Sequence, residues 1–446
     1  MKIGYLKPVE LIIPLGLLGF IGTGVKFLHV VFNPTTRWGI LAVLSMFLFT
    51  FRQRDVVALL RYPLFWAVLV YAAWGFMTVA WSEVPQISLA KSLAFGWVST
   101  TMLIAGYSWV MNHDRAKAFD FMWLLAVVAL LASLLGQREE NADTGAEVYA
   151  GLTGNPNFLG FVLAMASAWL MWRAYLVCGK NRRSFALYLG LLTLALYFLL
   201  LSHSRASLLI FLCMAIGLFI SLEKFRKRLP HVLIFSVLCV TGYYVLPAVQ
   251  DLLTQYVYKS SLEVLAQEKE GEGAGIMYSR ELIWEVSYDL AMQGGTFGGG
   301  YGVTIGEEFH GEIGSSISSG QYGREQGNSQ LAILEQTGLV GFGLYLMLIA
   351  GIFWMCASGL WSARVEVDRV AIGLMGGAML GLLAQSVFEA WWVAPGAAES
   401  GTFWMLLGAL LGVIRRARLV ALQHPSSTVL HAQYVTAGQS HAEGTA

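Results

Sequence analysis

Three arginines, Arg205, Arg280 and Arg324, stand apart from the other cationic side chains of this 446-residue chain. Arginine presents a planar fork that holds a phosphate or carboxylate through two parallel hydrogen bonds and stays charged at any working pH. Near two of them runs Gly294-Gly295-Thr296-Phe297-Gly298-Gly299-Gly300-Tyr301-Gly302. Without Cβ atoms, the backbone at Gly298, Gly299 and Gly300 can approach a ligand closely and offer its amides as an anion nest. Plainer readings stand beside these. Arg205, after Ser202-His203-Ser204, suits a side chain snorkelling at a membrane edge, and a glycine run suits a flexible turn. Arg280 sits in SRELIW, where Leu282, Ile283 and Val286 predict an amphipathic helix. Neither Glu281 nor Asp289 stands at the favoured helical spacing to pair with it. Glu335 is a candidate base, and equally a carboxylate that complements a helix dipole in a first turn.

The elements that must position these groups are membrane spans. The composition is 57% hydrophobic and 13% charged, about half the charge of a soluble chain. The expected fold is all-α, a polytopic transmembrane bundle with one large outer loop. Apolar stretches predict twelve spans at 9–28, 37–51, 63–81, 88–110, 119–136, 158–177, 185–201, 206–222, 231–249, 334–357, 370–389 and 396–414. Nine of these lie in 1–249 and three in 334–414, with the large loop at 250–333 and a disordered polar tail at 415–446.

Alternate junctions are basic: Arg52, Arg54 and Arg61; Arg115 and Lys117; Lys180, Arg182 and Arg183. The series continues with Lys224 to Arg228, then Arg364 and Arg369, then Arg415, Arg416 and Arg418. The positive-inside rule assigns these junctions and both termini to the cytoplasm, leaving 137–157 and the large loop outside. Arginine on the outer side runs against that bias, so it calls for a ligand or a structural reason. The stretch 250–329 holds twelve acids against four bases, Lys259, Lys269, Arg280 and Arg324, so an anion would be held by placed arginines and not by a general field. The net charge of +1 implies no nucleic-acid partner. Cys178, Cys213, Cys239 and Cys356 show no metal-ligand or disulfide spacing, so no metal and no cofactor is expected.

Six short motifs occur in order on this topology. They are Trp81-Ser82 with Pro85 and Ser88-Leu89; Gly154-Asn155-Pro156-Asn157; Ser204-Arg205-Ala206; Arg280 with Trp284; the glycine turn 298–302; and Asn328-Ser329-Gln330-Leu331 with Glu335, Gly338 and Gly341. Together they resemble the bacterial O-antigen ligase and O-antigen polymerase superfamily, over residues 81 to about 345. Members commonly carry His before the Asn of the last motif; here that position is Gly327, and His310 in the same loop is the substitute imidazole to consider.

The resemblance implies a metal-independent glycosyltransferase of the bacterial inner membrane, working on the periplasmic face. Its donor would be an undecaprenyl-diphosphate-linked glycan. Its acceptor would be a glycan, lipid-core or protein hydroxyl, with other polysaccharide assembly and export proteins as further partners. On this reading Arg205 and Arg280 clamp the diphosphate, and Arg324, Lys91, Gly298, Gly299, Gly300 and Asn328 assist binding. The missing His favours polymerisation over ligation. Metal-dependent oligosaccharyltransferases need acids on the first external loop, and residues 29–36 hold none. A lipid-glycan flippase or exporter would line several spans with charge, whereas Lys26, Lys91 and Glu389 lie near span ends.

Overall fold

In hydrocarbon a backbone has only itself to bond to, so long runs of Leu, Phe, Trp and Ala become helices. The computed structural model describes residues 11–140, 147–223, 278–305 and 327–423. Its elements are α1 (Ile12–Gly22), α2 (Pro34–Phe51), α3 (Gln53–Leu59), α4 (Pro63–Met77), α5 (Pro85–Asn112) and α6 (Trp123–Leu134). A hairpin of β1 (Gln137–Glu140) and β2 (Glu147–Gly151) follows, then α7 (Pro156–Val177), α8 (Arg182–Leu201) and α9 (Arg205–Ser221). The rest is α10 (Tyr278–Gln293), α11 (Ser329–Ser362), α12 (Glu366–Gln385) and α13 (Ala398–Gln423). Among the described residues, eight helical segments are long and apolar enough to cross a membrane, and α1 and α9 are shorter apolar helices. The protein is thus a helical polytopic membrane protein. The expected span 231–249 lies outside the described residues.

Several expectations change in detail. The segment 137–157 is not simply a loop, because β1 and β2 pair antiparallel with Arg138 opposite Tyr149. The Tyr149 hydroxyl donates to the Ser133 and Gly136 carbonyls and ties the hairpin to α6. The helix expected from 334 begins at Ser329 and is interrupted at Gly338. The tail expected from 415 is helical through Gln423, as the end of α13.

The two ends of the bundle differ in chemistry. At one end the basic junctions converge on acids. Asp368, fully buried, receives Arg115 Nε at 3.0 Å and Arg416 Nη2 at 3.2 Å. Arg52 Nη1 donates to Asn112, and Asn112 and Ser108 both donate to Asp55. Tyr175 donates to Glu366 at 3.1 Å. A carboxylate buried this deeply is tolerable only because two guanidiniums neutralise it. The opposite end collects another set of turns: Arg37 donates to Gly396, the Lys26 amide to Leu152, and the Ser329 amide to Ser386.

Helices meet most intimately where side chains are absent. On α12, Gly373, Gly377 and Gly381 lie against Gly217, Cys213 and Ile210 of α9, so closely that any Cβ would overlap the α9 backbone. Small residues at four-residue spacing let two helix backbones touch and gain dispersion contacts along their length. That antiparallel register matters for the site, because it places Arg205, the first residue of α9, opposite Gln385 and Ser386.

Candidate functional site

The end of the bundle opposite Asp368 is organised by a break in α11. Gly338 has φ 67° and ψ −172°, which only glycine adopts readily, and the helix stops there and restarts. The break frees carbonyls and amides on either side of it. The glycine turn takes them up: Gly299 and Gly300 donate to the Glu335 and Gln336 carbonyls at 2.9 and 3.0 Å, and Leu339 and Val340 donate to Gly295 and Thr296 at 3.1 and 3.2 Å. This reciprocal pairing resembles two short strands laid together.

Side chains lock the turn further. The Gln336 Oε1 accepts from the Gly302 amide at 2.7 Å, and Glu335 Oε1 accepts from the Ile305 amide at 2.9 Å. Thr78 Oγ1 accepts from the Tyr301 amide at 2.9 Å. The Trp81 and Trp74 indoles each donate at 2.9 Å, to the Gly298 and Thr337 carbonyls. Lys91 reaches across from α5 with Nζ 3.2 Å from the Gly302 carbonyl, and Gly300 packs on Ser82. The Trp-Ser motif at 81–82 is therefore a seat for the turn.

The amides of Gly298, Gly299 and Gly300 donate to the carbonyls of Gly294, Glu335 and Gln336, so the turn does not offer them to an anion. A Cβ at Gly298 would meet the Gln336 carbonyl of α11, one at Gly299 the Ile305 side chain, and one at Gly300 Ser82. Lys91 and Glu335, at 3% and 0% exposure, are both built into the floor beneath the turn.

Beside this floor, several motifs meet around residues 386–389. Asn328 caps α11, its side chain accepting from the Gln330 and Leu331 amides at 2.9 and 3.0 Å. The Ser329 amide donates to the Ser386 carbonyl at 2.8 Å, and its hydroxyl donates to the Glu389 carbonyl. Helix α10 arrives through Trp284, whose ring lies 5.9 Å from that of Phe388. Arg280 stands one turn earlier on α10, and Arg205, as the first residue of α9, is brought to the same end of α12 by the α9–α12 register. The structure so gathers the elements bearing Arg205, Arg280 and Asn328 around one short segment. Arg324 and His310 lie outside the described residues.

Between α10 and the start of α11 opens a cleft of about 720 Å³, lined by Trp284, Glu285, Tyr288, Asp289, Asn328 and Gln330 among others. Asn155 of the Gly-Asn-Pro-Asn motif is a helix cap, accepting from the Asn157 and Phe158 amides at 2.9 and 3.1 Å, with Pro156 in the first turn. His203 has φ 51°, which shapes the tight turn into α9. Gly327, which replaces the expected His, has φ 63°, a left-handed conformation that positions the Asn328 cap.

A further arginine stands at this end of the bundle, in the first turn of α2. Arg37 is 4% exposed, donates to the Gly396 carbonyl at 2.7 Å and lies 5.0 Å from the Trp38 ring centroid. It ties α2 to the turn before α13. The anomaly in charge placement was the available signal, and Arg37 shared it. No group of three or more metal-binding side chains occurs among the described residues.

Residues 189–346 match the family model described as O-antigen ligase. That segment runs from α8 through Arg205, Arg280 and the glycine turn to the first part of α11. No curated protein matches the chain. A chain from a solved structure titled "Structural coordination of polymerization and crosslinking by a peptidoglycan synthase complex" aligns at 17% identity and TM-score 0.44. The alignment covers 79% of this chain and 97% of that one.

Proposed function

From a chain placed by residues 189–346 in the O-antigen ligase and polymerase superfamily, we infer a membrane glycosyltransferase that extends an undecaprenyl-diphosphate-linked glycan at the periplasmic face of the inner membrane. The observation that carries this reading is the convergence of the Arg205, Arg280 and Asn328 elements on residues 386–389, beside the floor formed by the glycine turn. In the transfer, an acceptor hydroxyl oxygen bonds to the donor's anomeric carbon as the bond from that carbon to the diphosphate oxygen breaks. The bonding pair leaves with the diphosphate, and the hydroxyl proton passes to a carboxylate or to water. A diphosphate is already a good leaving group, so the protein's main task is to position it and neutralise its charge. Arg205 and Arg280 fill that role, with Arg324 as a further contact. Lys91 adds positive charge from the floor, and Glu335 positions the turn through Ile305. We assign polymerisation over ligation because Gly327 stands where an imidazole would be.

Purified protein in nanodiscs, given the host's undecaprenyl-diphosphate-linked repeat unit, is expected to build a ladder of longer lipid-linked glycans. Ladder formation should persist in EDTA, since the clamp uses arginine instead of a metal ion. Loss of activity restored by magnesium would reject that mechanism. Transfer onto lipid A core or a protein, with no ladder, would replace polymerase with ligase.

Orientation has its own test. Alkaline phosphatase fused after Ser315 should be active, and fused after Arg226 inactive. The opposite result would turn the outer arginines into ordinary cytoplasmic charges.

A further inference from the structure

We propose that the cleft between α10 and the start of α11 is a subsite for the neutral sugar end of the acceptor glycan, a proposal that rests on the glycosyl transfer inferred above. Its volume, about 720 Å³, falls among small-molecule sites and gives room for sugar rings in place of a single ion. Its named ionisable groups, Glu285 and Asp289, are both carboxylates one helical turn apart, and both are exposed. Two negative charges repel a diphosphate, yet they accept hydrogen bonds from sugar hydroxyls.

The cleft also carries ring faces and fixed polar atoms. Tyr288 is 55% exposed on its wall, and Trp284 is braced by Phe388. Two lining groups have no hydrogen-bond partner among the described residues, the Trp284 indole N–H and Gln330 Oε1. Gln330 cannot turn freely, because its Nε2 donates to Tyr345 at 3.0 Å and Ser386 at 2.8 Å. A donor and an acceptor without a partner among the described residues call for a complementary acceptor and donor, and a polyol supplies both. Ser386 links this wall to the segment facing Arg205, so donor diphosphate and acceptor sugar would occupy adjoining places with opposite charge preferences.

The test uses full-length protein in nanodiscs and two probes. One is farnesyl diphosphate; the other is a neutral oligosaccharide released from the host's own surface polysaccharide. The variants are Glu285→Ala with Asp289→Ala, both at exposed positions, and Tyr288→Ala, with thermal unfolding measured on each. Oligosaccharide affinity is expected to fall at least about tenfold in both, while farnesyl diphosphate affinity of Tyr288→Ala stays within about twofold. Unchanged oligosaccharide affinity in both variants overturns the subsite, as does failure of the unaltered protein to bind the oligosaccharide while it binds farnesyl diphosphate. An increase of more than about tenfold in farnesyl diphosphate affinity on removing the two carboxylates also overturns it, by making the cleft an anion site. Failure of the unaltered protein to bind farnesyl diphosphate rejects the donor assignment instead.

Discussion

Replacing Arg205 or Arg280 with lysine is expected to cut surface polysaccharide synthesis by roughly ten- to several hundred-fold at matched membrane levels. Lysine keeps the charge and loses the planar fork, so it cannot hold two diphosphate oxygens at once. Each such contact in a partly desolvated site is worth about 2–4 kcal/mol to the transition state. A snorkelling arginine, by contrast, tolerates lysine well, because lysine also reaches the interface. Polymer length and amount in a deletion strain carrying each variant provide the measurement. Full polymer from both would remove the clamp. A loss in the Arg280 variant alone would leave Arg205 as an edge marker and confine the site to α10 and the loop around it.

The second large effect belongs to Gly338→Ala. The residue's φ and ψ lie in a region closed to other residues at a cost of about 1–3 kcal/mol. An added Cβ would also overlap the Thr296 carbonyl and the Phe297 and Gly298 amides. Relief requires separating the turn from α11, which breaks backbone pairs worth about 1 kcal/mol each. We expect a loss of stability of roughly 3–6 kcal/mol, read as a lower midpoint in thermal unfolding, with loss of polymer. Gly343→Ala is the control. Its Cβ would meet nothing within 4 Å, and alanine favours a helix over glycine by about 1 kcal/mol. Equal melting behaviour of the two variants would show that the break is not held by this pairing.

What could be read from residues alone follows from the range of each physical signal. Hydropathy acts locally, so α4, α7, α8 and α12 fall close to the expected spans. Charge bias is a property of whole junctions, and Arg115, Arg364, Arg369 and Arg416 duly fall at the end that holds Asp368. The glycine turn was located correctly and misread in purpose. The amides of residues 299–302 are met by α11 and by Thr78, residues too distant in sequence for any spacing to reveal. The α11 break was hidden for a related reason, since glycine inside an apolar run is ordinary in membrane helices and only φ distinguishes this one. The hairpin escaped because Gln-Arg-Glu-Glu shows none of the apolar alternation that marks a strand.

The interruption at Gly338 also divides α11 mechanically. Below it, residues 339–362 extend roughly 36 Å at about 1.5 Å per residue, somewhat longer than a hydrocarbon layer of about 30 Å, so this portion can span with some lean. Above it, the first turns are fastened to the glycine turn and to Ser386. A change in bilayer thickness can therefore be absorbed by a different lean of the lower portion, without levering the upper one off its partners. Transfer rates in vesicles whose lipids differ by two carbons in acyl length should accordingly stay nearly constant, and a steep dependence would mean the two portions move as a single rod.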